Sequence, residues 1–448
     1  MADELLAIAE RVVAQARDGE QVEAYVARTR DTDVKVFDGE VESLSSAQTE
    51  GVGVRVVNDN RQGFAYAGSL EDDAVADALA EARDNAGFGS EDEFLGLPEP
   101  DGVTPADLDL FRSDLANVAA DDKVALAIEV ERATRAADSR IRGVETAEYG
   151  DAAVEAAVAS STGVRAHVRR TVCSVYAFAL AGEGAETQTG YGYDVGRHPD
   201  ELDVAKASSM AAERATQMLG AKQPASRKIT VVLDPLVTAS FLGVLSSALS
   251  GESVLKGRSM FADRVGEPVA ATNFTLTDDP TNPEAFGAAP YDSEGLATRR
   301  NELIHGGLLH GFLHNTWTGR RSGTATTASA VRAGFKSTPG VGARALSLVP
   351  GDKSQEELLA EVGEGLLVRS AIGLHSGANP VSGDFSVGVE GLMIRNGAVA
   401  EPVREATVAS TLQRMLKDVT AIGSDLEWLP GGAAGVTVVI ADVSLSGS

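Results

Sequence analysis

The chain is poor in cysteine, in lysine and in long apolar runs. Its single cysteine, Cys173, excludes an intrachain disulfide and any metal centre built from several cysteines, and it fits a reducing cytoplasm. No apolar run reaches the roughly 18–20 residues that a membrane-spanning helix requires. The start, MADELLAIAERVVAQARDG, is acidic where a signal peptide is basic and has helical spacing of its apolar residues. We therefore expect no secretion signal.

Negative charge is in large excess. Asp and Glu total 66 against 39 Lys and Arg, which gives a net charge of −27. This balance argues against nucleic acid or an anionic membrane as a partner, because both require a basic face. The composition resembles that of proteins adapted to high intracellular salt, where screening over about 3 Å at 1 M tolerates self-repulsion. An acidic surface without that adaptation is the alternative interpretation.

The length of 448 residues predicts two domains, because one hydrophobic core seldom supports a chain of this size. Residues 1–220 carry one arrangement twice, namely a helix, antiparallel strand-like runs and a second helix, which suggests an internal duplication. The polar stretch GAKQPASRK, residues 220–228, predicts a linker. Residues 228–448 are rich in strand and turn signals with few helices. We predict an α+β chain with an N-terminal α/β domain and a C-terminal β-rich domain.

The stretch NELIHGGLLHGFLHNTW holds three of the six histidines. Its double glycine predicts a two-residue hairpin with His305 opposite Leu308 and Leu303 opposite His310. His305 and His310 are then diagonal neighbours, about 7–8 Å apart at the backbone. His314 lies roughly 13 Å further along the strand direction at about 3.3 Å per residue. Since zinc binds each nitrogen at about 2.0–2.1 Å, we predict that the three histidines do not converge on one ion.

A helix without ionisable residues is predicted near the start of the second domain. Asp234 and Pro235 suit the cap and the first position of a helix, and Gly251 suits its end. The stretch between them, PLVTASFLGVLSSALSG, is apolar or small on every side, which predicts a buried helix. Its small residues allow close approach of a neighbouring backbone. Such a helix can line a cavity but cannot perform acid–base chemistry.

Four stretches, taken together and in order, resemble the TldD/PmbA family, also called the TldD/TldE family. They are VKVFDGEVESLSSAQTEGVGVRVV, SGESVLKGRSMFADRVGEPVA, LLHGFLHNTWTGRRSG and VSGDFSVGVEGLMIRNGAVAEPVREATVASTL. The resemblance covers nearly the whole chain. It implies an N-terminal α/β domain, a C-terminal β-rich domain and a cytoplasmic metallopeptidase of two subunits. In that family, unfolded or unstructured peptides are degraded inside a cavity.

The resemblance also implies which subunit this is. The catalytic, TldD-like subunit carries an H-E-x-x-x-H helix just before the second stretch, and the matching positions here are Leu242, Gly243 and Ser247. It also uses a cysteine near its C-terminus, whereas this chain has none after Cys173. We therefore expect the TldE/PmbA-like subunit, with no catalytic residue, no metal ligand and no cofactor of its own. Zinc is expected in a TldD-like partner.

Five residues are candidates for the wall of the peptide chamber. His314 lies in the family-like GFLHNTW, where it is expected to form hydrogen bonds in or beside the cavity. Gly383, Asp384, Phe385 and Gly388 lie in VSGDFSVGVEG, whose glycines let another backbone approach closely. The alternative for this second group is an ordinary glycine-rich loop between strands.

Three functions remain open from the sequence. The favoured one is the metal-free subunit of a heterodimeric metallopeptidase, with a homodimer as the form without a partner. The second is a peptidase active alone, in which His305, His310 and an acid such as Asp384 bind a metal. The third is a non-enzymatic, homodimeric peptide-binding protein. Metal content separates the second from the first, and cleavage in the presence of a TldD-like subunit separates the third.

Overall fold

The computed structural model describes residues 4–447 and divides them into two compact units. The first unit takes the described residues up to 92, together with 109–220 and 333–338. The second takes 93–108, 221–332 and the described residues from 339 onward. Each unit therefore includes a short segment from a distant part of the sequence. These segments are residues 333–338 in the first unit and 93–108 in the second.

The first unit repeats the order helix, three strands, helix, as the sequence predicts. Its six strands form one antiparallel sheet in the order β3-β2-β1-β4-β5-β6, with the first strands of the two sets, β1 and β4, paired at the centre. Its elements are α1 (Glu4–Val13), β1 (Gln21–Phe37), β2 (Glu40–Asn58), β3 (Arg61–Ala67), α2 (Asp72–Phe88), α3 (Ala120–Ala137), β4 (Ile141–Ser160), β5 (Arg165–Ala181), β6 (Gln188–Gly196) and α4 (Val204–Gln217).

Both helix pairs of the first unit pack on one face of this sheet. Strand β1 buries Val22, Ala24 and Val26 in the core shared with α1 and α2, and Val34 and Val36 in the core shared with α3 and α4. All five positions are even-numbered, and alternate residues of a strand point to the same side. The long strands therefore carry two consecutive cores, one under each helix pair.

The second unit is rich in strands, and its helices are short apart from the 14-residue α5. Its elements are β7 (Arg227–Leu233), α5 (Pro235–Ala248), α6 (Gly251–Leu255), β8 (Leu276–Asp278), β9 (Asn301–His305), β10 (Leu308–Leu309), α7 (Thr316–Arg321), β11 (Ala330–Val331), β12 (Gly340–Val341), β13 (Leu346–Leu348), α8 (Gln355–Val362), β14 (Gly365–Ile372), α9 (Leu374–Gly377), β15 (Asp384–Arg395), β16 (Ala398–Thr411), α10 (Leu412–Lys417), β17 (Val419–Ile422), β18 (Glu427–Trp428), β19 (Ala434–Gly435) and β20 (Val438–Ser446). No helix among residues 4–447 is long and apolar enough to cross a membrane.

The main sheet of the second unit closes on itself. Its order is β16-β15-β14-β7-β20-β17, and β16 also pairs with β20. Asn396 and Gly397 connect β15 to β16 with positive φ angles of 50° and 78°, as a two-residue hairpin turn requires. A second sheet, β10-β9-β8-β13, carries the histidine hairpin. The α+β prediction, with a β-rich C-terminal part, is confirmed.

Helix α5 begins where the sequence predicts but is not buried all round. The Asp234 carboxylate accepts a hydrogen bond from the backbone of the second helical residue, as an N-cap does. Leu242 lies in the core, whereas Ser240, Gly243 and Ser247 form an exposed face. The prediction of complete burial is wrong because side chains this small are compatible with either environment. The sequence offers no charge that would distinguish them.

The predicted linker at residues 220–228 is bonded along strand β16. The Lys222 amide donates to the Pro402 carbonyl at 3.2 Å, and the Lys222 carbonyl accepts from the Arg404 amide at 3.2 Å. The Gln223 side chain adds a bond to the Glu405 carbonyl at 3.3 Å. The segment is therefore attached to the second unit at Lys222, whose backbone amide and carbonyl are both paired there.

Candidate functional site

The histidine hairpin has the predicted register. His305 pairs with Leu308, and the His310 amide donates to the Leu303 carbonyl at 2.8 Å. The imidazole rings of His305 and His310 lie with their centroids 5.6 Å apart, on the same face of the ribbon. His314, four residues beyond His310, differs from this pair because its side chain is buried.

Both hairpin histidines face one carboxylate. Glu302 Oε2 lies 3.1 Å from His305 Nδ1, and Glu302 Oε1 lies 3.5 Å from His310 Nδ1. The three side chains are 36–59% exposed, so the cluster contributes little to folding stability. Each Nδ1 faces a separate carboxylate oxygen rather than a common point. In the part of the chain from residue 4 to 447, no three His, Cys, Asp or Glu side chains form a metal-ligand group.

His314 is held beside the hairpin by neutral partners. Its Nδ1 lies 3.2 Å from Thr318 Oγ1, and its amide donates to Thr327 Oγ1 at 2.7 Å. A Cβ at Gly251 would lie only 2.3 Å from Nδ1, so the absence of a side chain there makes room for the ring. Burial lowers the pKa of His314 below its usual value. The imidazole is therefore neutral at neutral pH and suited to hydrogen bonding.

A cavity of about 770 Å³ lies in the second unit, and Glu302, His310 and His314 are part of its wall. This volume lies in the range of small-ligand sites, about 300–1,000 Å³. Both signs of charge are present in the wall, with Asp263 and Glu302 against Arg300. The lining residues are Val254, Asp263, Val265, Arg300, Asn301, Glu302, Leu303, His310, Gly311, Phe312, His314, Ser322, Thr324 and Thr327.

The three positions that the sequence resemblance aligns with the family's metal motif carry no group that typically binds zinc. Leu242 is fully buried in the hydrophobic core of the second unit. Gly243 has open space beside its Cα, and the Ser247 hydroxyl lies 3.5 Å from the Gly243 carbonyl. Protein zinc is bound by thiolate, imidazole and carboxylate groups. The side chains of leucine, glycine and serine supply none of these groups and therefore do not fit a zinc ion.

The glycine-rich candidates lie apart from this cavity, around the start of β15. Gly383 has φ +85°, and a side chain there would overlap Gln413. Asp384 accepts a hydrogen bond from the Ser382 hydroxyl at 2.7 Å. Phe385 belongs to the hydrophobic core, and Gly388 pairs with a residue of β14. None of the four is among the residues that line the histidine cavity, and their binding role stays a prediction.

The sequence analysis missed two buried carboxylates in the second unit, Asp292 and Glu294. Asp292 is 3% exposed, and its Oδ1 accepts hydrogen bonds from the amides of Glu294 and Leu296 at 2.9 and 3.0 Å. Its Oδ2 accepts from the Ala330 amide at 3.1 Å. Burial and the charge of Glu294 raise the Asp292 pKa, while the three amides act in the opposite direction.

Glu294 connects this loop to the start of α7. It is 1% exposed, and its Oε2 accepts a hydrogen bond at 2.9 Å from the amide of Thr316, the first residue of α7. His314 lies only two residues before that contact. The stretch YDSEGLA does not predict burial, because acidic residues next to a glycine are typical of exposed turns. Two of the amides that bind Asp292 are local, whereas those of Ala330 and Thr316 come from distant segments that only the tertiary arrangement brings close.

Comparison with known proteins accounts for most of the chain. Residues 22–86 match the PmbA/TldA metallopeptidase domain 1, residues 113–219 match the central domain, and residues 226–447 match the C-terminal domain. The protein is 27% identical to the Metalloprotease PmbA of Escherichia coli O157:H7 over 95% of this chain and 92% of that one. A metalloprotease of Methanothermobacter thermautotrophicus is 26% identical over 92% and 90%.

A solved structure has the same fold. TldE from Thermococcus kodakarensis superposes with a TM-score of 0.88 at 24% identity and covers 100% of both chains. The three domain matches follow one another in order, with residues 87–112 and 220–225 between them. The protein belongs to the PmbA/TldD metallopeptidase family.

Proposed function

We propose that this chain is the metal-free, TldE-like subunit of a cytoplasmic heterodimeric peptidase. A TldD-like partner binds the zinc, and this chain completes the chamber in which unfolded or unstructured peptides are cleaved. The observation that carries the proposal is the composition of α5, where Leu242, Gly243 and Ser247 stand at the family's metal-motif positions. The excess of acidic residues suits a cell interior of high salt.

The chemistry of zinc hydrolysis supports this assignment. A hydrolytic zinc site requires about three protein ligands, an open position for water and a general base. The exposed face of α5 presents a glycine and two serines, which supply none of these groups. Their small size instead leaves space in front of the helix. Such space is required if a partner's metal site and a peptide backbone are to approach the chamber wall closely.

The histidine cavity supports a role in holding peptide. Neutral His314 suits a backbone amide or carbonyl, while Arg300 and Glu302 suit a charged group of either sign. A site that binds mainly backbone groups does not depend on side-chain identity, which suits unfolded clients. In this proposal, the turn with Gly383 and Asp384 and the adjoining Phe385 and Gly388 contribute a second part of the wall.

Reconstitution tests the proposal. The purified chain, mixed at equal concentration with a TldD-like subunit carrying H-E-x-x-x-H, is expected to raise cleavage of an unstructured, fluorogenic peptide at least about tenfold above the sum of the separate proteins. This factor corresponds to about 1.4 kcal/mol of transition-state stabilisation. The reason is that neither protein alone encloses the substrate beside the metal. Peptidase rate and co-elution of the two chains are the measurements.

A zinc-deficient partner is the matched control. Replacing the first motif histidine of the TldD-like subunit by alanine should abolish cleavage without preventing co-elution. Stable co-elution without any gain in cleavage by the intact partner would instead favour the non-enzymatic peptide-binding alternative. Absence of both the complex and the gain would contradict the proposal.

A further inference from the structure

His314 presents an unpaired ring nitrogen to the histidine cavity. Its Nδ1 lies 3.2 Å from Thr318 Oγ1, whereas Nε2 has no hydrogen-bond partner among residues 4–447. The side chain is 6% exposed and forms part of the cavity wall. Nε2 is not sealed in the interior, so its access to solvent is through the cavity. A polar atom of a buried side chain is therefore available to a ligand in this cavity.

The hydrogen bonds of Thr318 determine which ring nitrogen carries the proton. Asn315 Oδ1 accepts from the Thr318 amide at 2.9 Å and lies 3.0 Å from the Thr318 hydroxyl. The hydroxyl therefore donates its one hydrogen to this oxygen, since otherwise two acceptors would face each other. Thr318 Oγ1 can then only accept from His314, so Nδ1 bears the hydrogen and Nε2 carries a lone pair. Burial lowers the pKa of His314, which keeps the ring neutral.

Asn301 provides a second acceptor in the cavity wall. Its Nδ2 donates to the carbonyls of Arg299 and Thr327 at 3.1 and 3.2 Å, so the amide cannot be reversed without losing both bonds. Its Oδ1 has no partner in the part of the chain that the structure describes. The His314 amide donates to Thr327 Oγ1 at 2.7 Å. Thr327 therefore holds both residues that supply a free lone pair to the cavity.

Two carboxylates add negative charge to the same wall. Asp263 is exposed and has no ion-pair or hydrogen-bond partner within the described residues. Glu302 faces the hairpin histidines. Arg300, the arginine of the wall, is exposed and forms no ion pair with either acid. With the histidines neutral, two negative charges stand against one positive charge, so the wall favours a cationic group over an anionic one.

These groups fit a ligand that carries several N–H donors and a positive charge. We infer that the cavity binds the α-ammonium group at the N-terminus of a client peptide. An ammonium group has three donors and no acceptor, which matches the lone pairs of His314 Nε2 and Asn301 Oδ1 and the carboxylates of the wall. Every peptide with an unblocked N-terminus carries this group, so its recognition suits clients of any sequence. The inference rests on the proposed peptide-holding function and adds which end of the peptide this chain recognises.

Binding of three unstructured peptides to the full chain tests the inference. They share one sequence without internal charge and differ at their ends. The first has a free N-terminus and an amidated C-terminus. The second is blocked at both ends and carries one added C-terminal lysine, so its net charge equals that of the first. The third has an acetylated N-terminus and a free carboxylate.

Isothermal titration calorimetry should give a Kd for the first peptide that is at least about tenfold lower than for either of the others. Equal affinity of the first two peptides would mean that net charge alone attracts them and would overturn the inference. Tighter binding of the third, through Arg300, would do the same, and so would the absence of binding by all three.

Two substitutions of His314 separate binding from folding. An asparagine amide can still donate to Thr318 from near the position of Nδ1, but it has no atom near Nε2. A glutamine amide reaches the position of Nε2. His314→Asn should therefore weaken binding of the first peptide about tenfold, whereas His314→Gln should retain most of it. Circular dichroism and the unfolding temperature should show that both variants fold. Wild-type affinity in a folded His314→Asn variant would contradict the inference.

Asp263→Asn tests the contribution of charge and should weaken binding of the first peptide about threefold. Its matched control is Asp59→Asn in the first unit, because both aspartates are exposed and have positive φ angles, 61° and 47°. The control should bind as the wild type does, and an equal loss in it would count against the site. None of these measurements requires a partner or cleavage. Failure of the reconstitution with this selectivity intact would therefore contradict the subunit assignment alone.

Discussion

Asp292→Ala is expected to lower the free energy of unfolding by at least about 3 kcal/mol. The substitution removes the acceptor of three buried amides, those of Glu294, Leu296 and Ala330. Each buried donor left without a partner lowers the stability by about 1–3 kcal/mol. Water cannot easily replace the carboxylate, because Asp292 is 3% exposed. Chemical denaturation followed by circular dichroism measures the change.

Asp279→Ala is the matched control for this substitution. Asp279 lies on a half-buried turn and accepts local hydrogen bonds from the amide and the hydroxyl of Thr281. Its loss should lower the free energy of unfolding by about 1 kcal/mol. If Asp292→Ala were no more destabilising than this control, the three hydrogen bonds of the buried carboxylate would not contribute the expected stability.

The same carboxylate predicts a pH dependence of stability. Burial and the charge of Glu294 raise the pKa of Asp292 from 3.8 to about 7, so between those values the folded protein holds a proton that the unfolded chain has released. Stability should therefore fall as the pH rises from about 4 to 7 and change little from this group above 7. Asp292→Asn, which cannot titrate, should reduce this slope. Part of the slope should remain in this variant, because burial raises the pKa of Asp278 to about 6.

Gly243→Arg is expected to reduce the activity of the reconstituted peptidase about 100-fold, equivalent to about 2.7 kcal/mol. Gly243 lies in the exposed face of α5, and nothing stands within 4 Å of the position where a Cβ would be. The chain should therefore fold normally, while a long cationic side chain fills the space proposed for the peptide and the partner's metal site. The measurements are the peptidase rate and the unfolding temperature.

Gly87→Arg provides the control for a cationic side chain on an exposed helical glycine. Gly87 lies in α2 of the first unit, and a Cβ added there would likewise meet no atom within 4 Å. The reconstituted activity of this variant should match that of the wild type. If both variants were equally active, the face of α5 would not border the chamber.

The local geometry of the histidine hairpin is predictable from sequence because few forces determine it. A double glycine between apolar runs specifies a two-residue turn, and the turn sets the pairing of His305 with Leu308. The start of α5 is predictable for a similar reason, since Asp234 and Pro235 act on the adjacent backbone. The repeated order of helix and strands in the first unit follows from the periodicity of apolar residues.

The environment of individual side chains depends on contacts between distant segments. Asp292 and Glu294 are buried because amides from three parts of the chain surround them, and no local pattern encodes that meeting. Phe385, predicted to contact substrate, packs edge-on to Phe241 of α5 with ring centroids 6.1 Å apart. Its role in packing comes from a partner more than 140 positions away.

Zinc content is the most direct test of the central claim that this chain supplies no ligand to the catalytic metal. The chain purified alone and dialysed against zinc, then against buffer, should retain far less than one zinc, because the hairpin histidines and Glu302 form only an exposed cluster. Its complex with a TldD-like subunit should hold one zinc, unchanged by His310→Ala. Near-stoichiometric zinc on the isolated chain, lost in His310→Ala, would contradict the account.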